Sequence, residues 1–307
     1  MFSSTAAIVF GLLTTLATLA VQPAAAQTAG TTFTVQSAAD GEDIAATYYP
    51  PKSDAGASVG DPNAPVVILI HGENDNRLVW EKKNTNLGAP AAELLSGAGF
   101  AVVAVDMRGY GESEAAGGRR VNPQAMIGDL EAIKQFLMDK HQAKELNINK
   151  LGIVAAGELA PIAANFAEYD WKKPDYDDAL SPAERTPRGR DVQAVVLLSP
   201  AAAVGRMRTN TALRFLTDER VGVGVLIING KDDPRDRGTA ADLGKLIRSE
   251  EDPQDNRYLR EYPTAFHATD LIGQRDLPTE REMFGFLSKY LKDLDKPWAD
   301  RRSKLER

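Results

Sequence analysis

The chain has 307 residues, 43% of them hydrophobic and 26% charged, enough for one sizeable domain with a buried core or for two small ones. Its net charge of −7, with Lys and Arg dispersed, provides no basic stripe to neutralise phosphates, so nucleic acid is not an expected partner. The absence of Cys excludes disulfides and thiolate chemistry; with only three histidines, His71, His141 and His267, neither a metal nor another cofactor is expected.

Residues 1–26 carry no charged side chain: an apolar run from Ala6 to Val21, diluted by Thr14, Thr15 and Thr18, leads to Ala24-Ala25-Ala26. This resembles a secretory signal peptide cleaved after Ala26, although no Lys or Arg precedes the run; the alternative is a retained N-terminal anchor. The expected destination is secreted or periplasmic, with only transient membrane contact. Residues 27–294 then alternate strand-like and helix-like segments, which predicts a doubly wound α/β domain with a mostly parallel sheet and helices on both faces.

Thr32 to Val35 and Ile44 to Tyr49 predict an edge hairpin around Asp40-Gly41, and 52–64 a surface loop. The apolar runs Val66–Ile70, Phe100–Val105, Leu151–Ala155, Val195–Leu198 and Val223–Ile228 predict strands, the first buried on both faces, and Tyr258–Tyr262 a last strand. Helices are predicted over Ala89–Gly97, Pro123–Met138, Leu159–Ala167, Ala240–Ile247 and Glu280–Leu294. Residues 170–191 read as a polar surface insertion beginning near Trp171, Lys172 and Lys173, the best candidate for a partner-binding surface. Residues 295–307 read as a charged, solvated tail, and His141 as exposed. Trp80 reads as packing on a neighbouring helix or lining a pocket. There is no internal repeat and no segment long enough for a large cap.

The strand ending in His71-Gly72, followed by Asp106-Met107-Arg108-Gly109-Tyr110-Gly111-Glu112-Ser113, resembles the α/β-hydrolase superfamily of serine esterases, lipases and peptidases. The resemblance spans essentially the whole chain after residue 26 and implies an oxyanion site at Gly72 and Glu73, the Glu73 N–H being a donor, with Arg108 and Ser113 structural. It also implies a nucleophile elbow, Gly-x-Ser-x-Gly, after the strand Leu151–Ala155. Here that junction reads Ala155-Ala156-Gly157-Glu158-Leu159, so Gly157 stands at the serine position. Glycine relieves the backbone strain of an elbow. The resemblance further implies Asp233, with Asp232 as a near alternative, as triad acid and His267 as triad base. His71 reads as a turn-shaping residue.

Two functions are compatible with these residues. One is a catalytically degenerate hydrolase that binds or scaffolds a small-molecule or protein ligand, its elbow altered at Gly157, Glu158 and Leu159, with Glu73 and Glu158 placing negative charge where an oxyanion would form. The other is an active hydrolase of esters, epoxides or related substrates. It would use Glu158 as a carboxylate nucleophile, as dehalogenases and epoxide hydrolases of this fold use Asp, or a water activated by His267 and Asp233.

Overall fold

The computed structural model describes residues 30–53, 56–58, 60–113, 121–248 and 256–307; the expected signal peptide at 1–26 lies outside the described residues. Eight strands form one sheet in the order β1-β2-β4-β3-β5-β6-β9-β10. These are β1 (Thr31–Gln36), β2 (Asp43–Tyr49), β3 (Val66–Ile70), β4 (Ala101–Val105), β5 (Leu151–Ala156), β6 (Val192–Leu198), β9 (Gly224–Gly230) and β10 (Arg257–Tyr262). Two short strands, β7 (Ala203–Val204) and β8 (Met207–Arg208), pair apart from it. β1 and β2 form an antiparallel hairpin and β2 runs antiparallel to β4, whereas the pairs from β4 through β10 are parallel.

Every residue of β3, β4, β5 and β9 is buried, because helices cover both faces. Alternate side chains divide between two core layers. Ile68 and Ile70 point with Leu130, Ile133 and Phe166 toward α3 (Met126–Gln142) and α4 (Ala160–Lys172). Val67 and Leu69 point the other way, with Trp80 of α1 (Leu78–Lys82), Leu95 of α2 (Ala91–Gly97) and Leu287 of α7 (Thr279–Leu287). Trp80 is therefore core. The domain also contains α5 (Thr209–Leu216) and α6 (Thr239–Ile247).

The Asp106–Ser113 segment is a knot of capping interactions. Asp106 accepts from the backbone N–H groups of Arg77 at 2.7 Å and Glu112 at 2.9 Å, and pairs with the Arg77 guanidinium. Gly111 has φ +52°, and a Cβ there would collide with the Asp106 carboxylate. Arg108 joins Asp129 of α3 to Asp40 of the first hairpin, and the Ser113 hydroxyl accepts from the Ala45 N–H at 2.8 Å.

Three features differ from the sequence-based expectation. The β7/β8 hairpin and α5 fill residues 203–216, where the strands are too short for alternation to register. Residues 295–307 are docked rather than solvated: Arg301 is buried, pairing with Asp191 and donating to the carbonyls of Pro187 and Gly189. That strap buries His141 as well, whose Nε2 donates to the Ala299 carbonyl at 2.8 Å while the Trp298 indole donates to the His141 carbonyl. The reason lies beneath: α4 extends to Lys172, and Asp170 and Asp191 at the two ends of the insertion are fully buried with Lys134. Two buried carboxylates beside one lysine need a second cation, and Arg301 is that cation.

Replacing Arg301 with Met is expected to cost about 3 kcal/mol, since it strips Asp191 of one of its two cationic partners. A lowered urea midpoint at unchanged slope would register it, and Asp191→Asn in the same chain should recover part of the loss.

Candidate functional site

The parallel register sets the exits of β3, β5 and β9 at the same carboxyl edge of the sheet, with Ile70 opposite Ala155 and Leu198 opposite Ile228. Ligand chemistry in open α/β sheets collects at this edge. β5 ends at Ala156, and Gly157 comes next with φ +58°, opening the single turn Gly157–Leu159 that leads into α4. A left-handed backbone at this point suits glycine and strains other residues. Glu158 is exposed on the turn, and Leu159 is buried in the core.

Glu73, on the turn after β3, fills the space beside Gly157. A Cβ built on Gly157 would collide with Glu73 Oε2 and lie 3.2 Å from its Cδ and 3.3 Å from the Ala268 Cβ. The Glu73 carboxylate accepts from the Glu158 backbone N–H at 3.1 Å. Its other oxygen lies 3.2 Å from His267 Nε2 and 3.1 Å from the Arg235 guanidinium. The N–H of the residue after the elbow position, a group suited to bind an oxyanion, thus meets a carboxylate of the protein itself.

His267 Nδ1 is 2.6 Å from Asp233 Oδ2, and the Asp233 side chain is fully buried, its other oxygen accepting from the Arg235 N–H at 2.9 Å. Asp232 is exposed, with its N–H on the Thr264 carbonyl. The structure therefore brings Gly157, Glu73, Asp233 and His267 together with the Glu158 N–H, and leaves the Glu158 and Asp232 side chains outside. His71 is buried; its Nε2 accepts from the Met107 N–H at 3.2 Å and its Nδ1 donates to the Gly72 carbonyl at 2.7 Å. Burial holds it below the ordinary histidine range, as a neutral prop of the turn. Tyr110 stacks edge-on against it, and Phe266 stands 40% exposed beside His267.

Sequence reasoning expected negative charge from Glu73 and Glu158 beside the oxyanion donors; the structure places the Glu73 carboxylate there and the Glu158 side chain outside. What the sequence did not show is that Glu73 also binds His267 and Arg235 and fills the space beside Gly157. The signal was the pairing itself: a glycine where a side chain is expected, and a long acid on the facing turn.

Electrostatically the arrangement is carboxylate, imidazole, carboxylate, with Glu73 and His267 each 15% exposed. Hydrogen bonding from His267 lowers the Glu73 carboxyl to about 2 against the opposing effect of burial. Burial also opposes charge on His267, yet its bonds to Glu73 and Asp233 outweigh that and raise it above its ordinary 6.5. No cluster of His, Cys, Asp or Glu among the described residues has the geometry to hold a metal ion. No helix among them is long and apolar enough to cross a membrane.

The depressed Glu73 contributes stability that is full above its ordinary 4.5 and lost as pH falls toward 2. The raised His267 contributes stability that is full below 6.5 and lost as pH rises through its elevated value. The gap in melting temperature between the native protein and Glu73→Gln should therefore be widest from about pH 4.5 to 6.5 and narrow on both sides. Calorimetry across pH checks this; a gap independent of pH would deny the ion pair.

A sequence model of the alpha/beta hydrolase fold matches residues 65–148, from β3 to the turn before β5. Solved structures of similar shape include a putative hydrolase from Agrobacterium vitis, 16% identical with a TM-score of 0.54, the match covering 84% of this chain and 98% of that one. Dienelactone hydrolase from Anabaena variabilis is 16% identical with a TM-score of 0.51, covering 86% and 97%. A soluble variant of monoglyceride lipase from Saccharomyces cerevisiae, in complex with a substrate analog, is 14% identical with a TM-score of 0.53, covering 82% and 92%. No curated protein matches the chain by sequence. At such identities the likeness is one of fold, and it agrees with the strand order and with the segment matched in sequence. The chain has the α/β-hydrolase fold.

Proposed function

We propose that this chain is an exported α/β-hydrolase-fold protein that has given up serine acyl transfer and acts by binding or scaffolding. The observation that carries the reading is the Glu73 carboxylate in the space where a side chain at 157 would project. Three losses coincide there. Gly157 offers no hydroxyl; the Glu158 N–H already serves an anion; and the two carboxylates flanking His267 favour its protonated form, which cannot accept a proton. Export rests on the uncharged N-terminal stretch ending in Ala24-Ala25-Ala26.

Restoring serine alone is expected to fail, because the new side chain meets Glu73. Against p-nitrophenyl acetate, the native protein and Gly157→Ser should show background hydrolysis. Glu73→Gly with Gly157→Ser should exceed it by about a hundredfold, as expected once the oxyanion donors are freed. His267→Ala in that double variant should return it to background. Turnover by the native protein that disappears with His267→Ala would overturn the proposal.

One observation favours a second reading: Glu73 presents one oxygen to His267 and the other to the Glu158 N–H. A carboxylate so held is arranged to attack an alkyl electrophile such as a terminal epoxide: a Glu73 ester forms as the ring C–O bond breaks, and the released alkoxide takes the proton of His267. The neutral imidazole would then deprotonate the water that cleaves the ester. In this reading the nucleophile is Glu73 rather than Glu158, whose side chain is exposed. With styrene oxide and His267→Ala to block the second step, peptide mass mapping should find the adduct on Glu73; an unmodified Glu73 disposes of this reading.

A further inference from the structure

A second feature lies at the amino edge of the sheet, opposite Glu73 and Gly157. Where the chain enters β3, β4 and β5, a groove of about 720 Å3 runs between the loop ahead of β3 and the end of α2, with Lys150 and Lys292 on its walls. Sites for small organic ligands occupy this size range.

The charge of the groove is one-sided. Three lysines line it, Lys52, Lys150 and Lys292, against a single carboxylate, Asp61, and none of the three has a carboxylate within ion-pair distance among the described residues. Asp61 is engaged in its own turn, where its Oδ1 accepts from the Asn63 N–H at 2.8 Å. The described lining therefore keeps an excess of two positive charges, with no ion pair to set against them. The lysines converge from three separate parts of the chain. Lys292 Nζ donates to the Ala98 carbonyl at the end of α2, at 2.9 Å, so the negative end of that helix is already met. Lys150 Nζ donates to the Lys292 carbonyl at 3.4 Å, its one hydrogen bond among the described residues. A Cβ built on Gly99 would lie 3.9 Å from Lys292 Nζ and 3.9 Å from the Lys52 carbonyl, which puts Lys52 and Lys292 on one small patch. An ammonium carries three donors, so Lys150 and Lys292 each keep capacity beyond the carbonyl they serve. Lys150 is the telling member: it is only 8% exposed, and a cation so buried is costly until an anion joins it.

We propose that this groove binds a phosphate monoester, its phosphate held among the Lys52, Lys150 and Lys292 ammonium groups and its organic part lying along the rest of the groove. A monoester phosphate carries close to two negative charges near neutral pH, which matches the excess of the lining. Lysine binds phosphate as a point charge and needs no bidentate fork, so three ammonium groups from separate segments suffice. Soluble phosphate esters and the headgroup of phosphatidic acid share this chemistry. The proposal is independent of the chemistry at Gly157, which lies at the other edge of the sheet.

Isothermal titration calorimetry of the full chain with phenyl phosphate, in a low-salt buffer free of phosphate, tests it. One saturable site is expected, weakened by added salt and competed by inorganic phosphate, with a loss of about tenfold in Lys150→Gln and in Lys52→Gln. Lys52 is half-buried on a loop, so its variant carries the test should circular dichroism show that Lys150→Gln does not fold. Sedimentation with phosphatidylcholine vesicles, with and without phosphatidic acid, separates the two sources. Pelleting that requires both phosphatidic acid and Lys52 assigns the site to a lipid headgroup, whereas phenyl phosphate binding without pelleting assigns it to a soluble ester. Absence of saturable phenyl phosphate binding, binding no tighter than that of benzoate, or native affinity in Lys52→Gln would each overturn the proposal.

Discussion

The Glu73 carboxylate is the piece on which the carboxyl edge of this sheet depends. A strand-to-helix turn with positive φ leaves backbone N–H groups pointing into a half-enclosed space, and an unmet donor there costs about 1–3 kcal/mol. Glu73 meets the Glu158 N–H of this turn and at the same time gives His267 and Arg235 their anion. Each partner is defined by the others. Without the carboxylate, Arg235 loses its ion pair, the Glu158 N–H loses its acceptor, and His267 keeps Asp233 alone. The same charges that complete this circle work against acyl transfer, which needs a neutral base and vacant donors.

The scaffold makes so small a circle possible. Glu73, Gly157, Asp233 and His267 come from the exits of four strands, and they meet because those strands are parallel and in register. The turn that carries Glu73 is tied down at its far end, where Asp106 accepts from the Arg77 N–H and binds the Arg77 guanidinium. At its near end His71 spans the Gly72 carbonyl and the Met107 N–H. The segment that marks the fold in sequence therefore serves, in space, to steady the acid that fills the elbow.

The buried strands were legible because a strand covered on both faces reads as an unbroken apolar run: Val66–Ile70 and Ala101–Val105 have no other sensible fate. Asp233 and His267 were legible from their positions just past the ends of the last two strands, and the structure sets them 2.6 Å apart. That Glu73 brings negative charge to the oxyanion donors was legible, but its bonds to His267 and Arg235 were not, because a turn residue's partners depend on segments 194 and 162 positions away. His141 and Arg301 were misjudged for a related reason. A polar residue reads as exposed until its distant partner is known, and Arg301 has its partner in Asp191, as His141 has in Ala299, across long stretches of chain.

That distance matters for the order in which the molecule is made. Asp191 and Lys134 emerge from the ribosome well before Arg301, which lies 110 residues beyond Asp191. Until it arrives, a carboxylate destined for full burial has only part of its counter-charge, and the ends of the insertion have no strap to close over them. A nascent chain can pair β3, β4 and β5 early, but the strap that closes over the insertion is a late addition. Arg301 thus completes the charge balance beneath the insertion only after the strands of the sheet have been delivered.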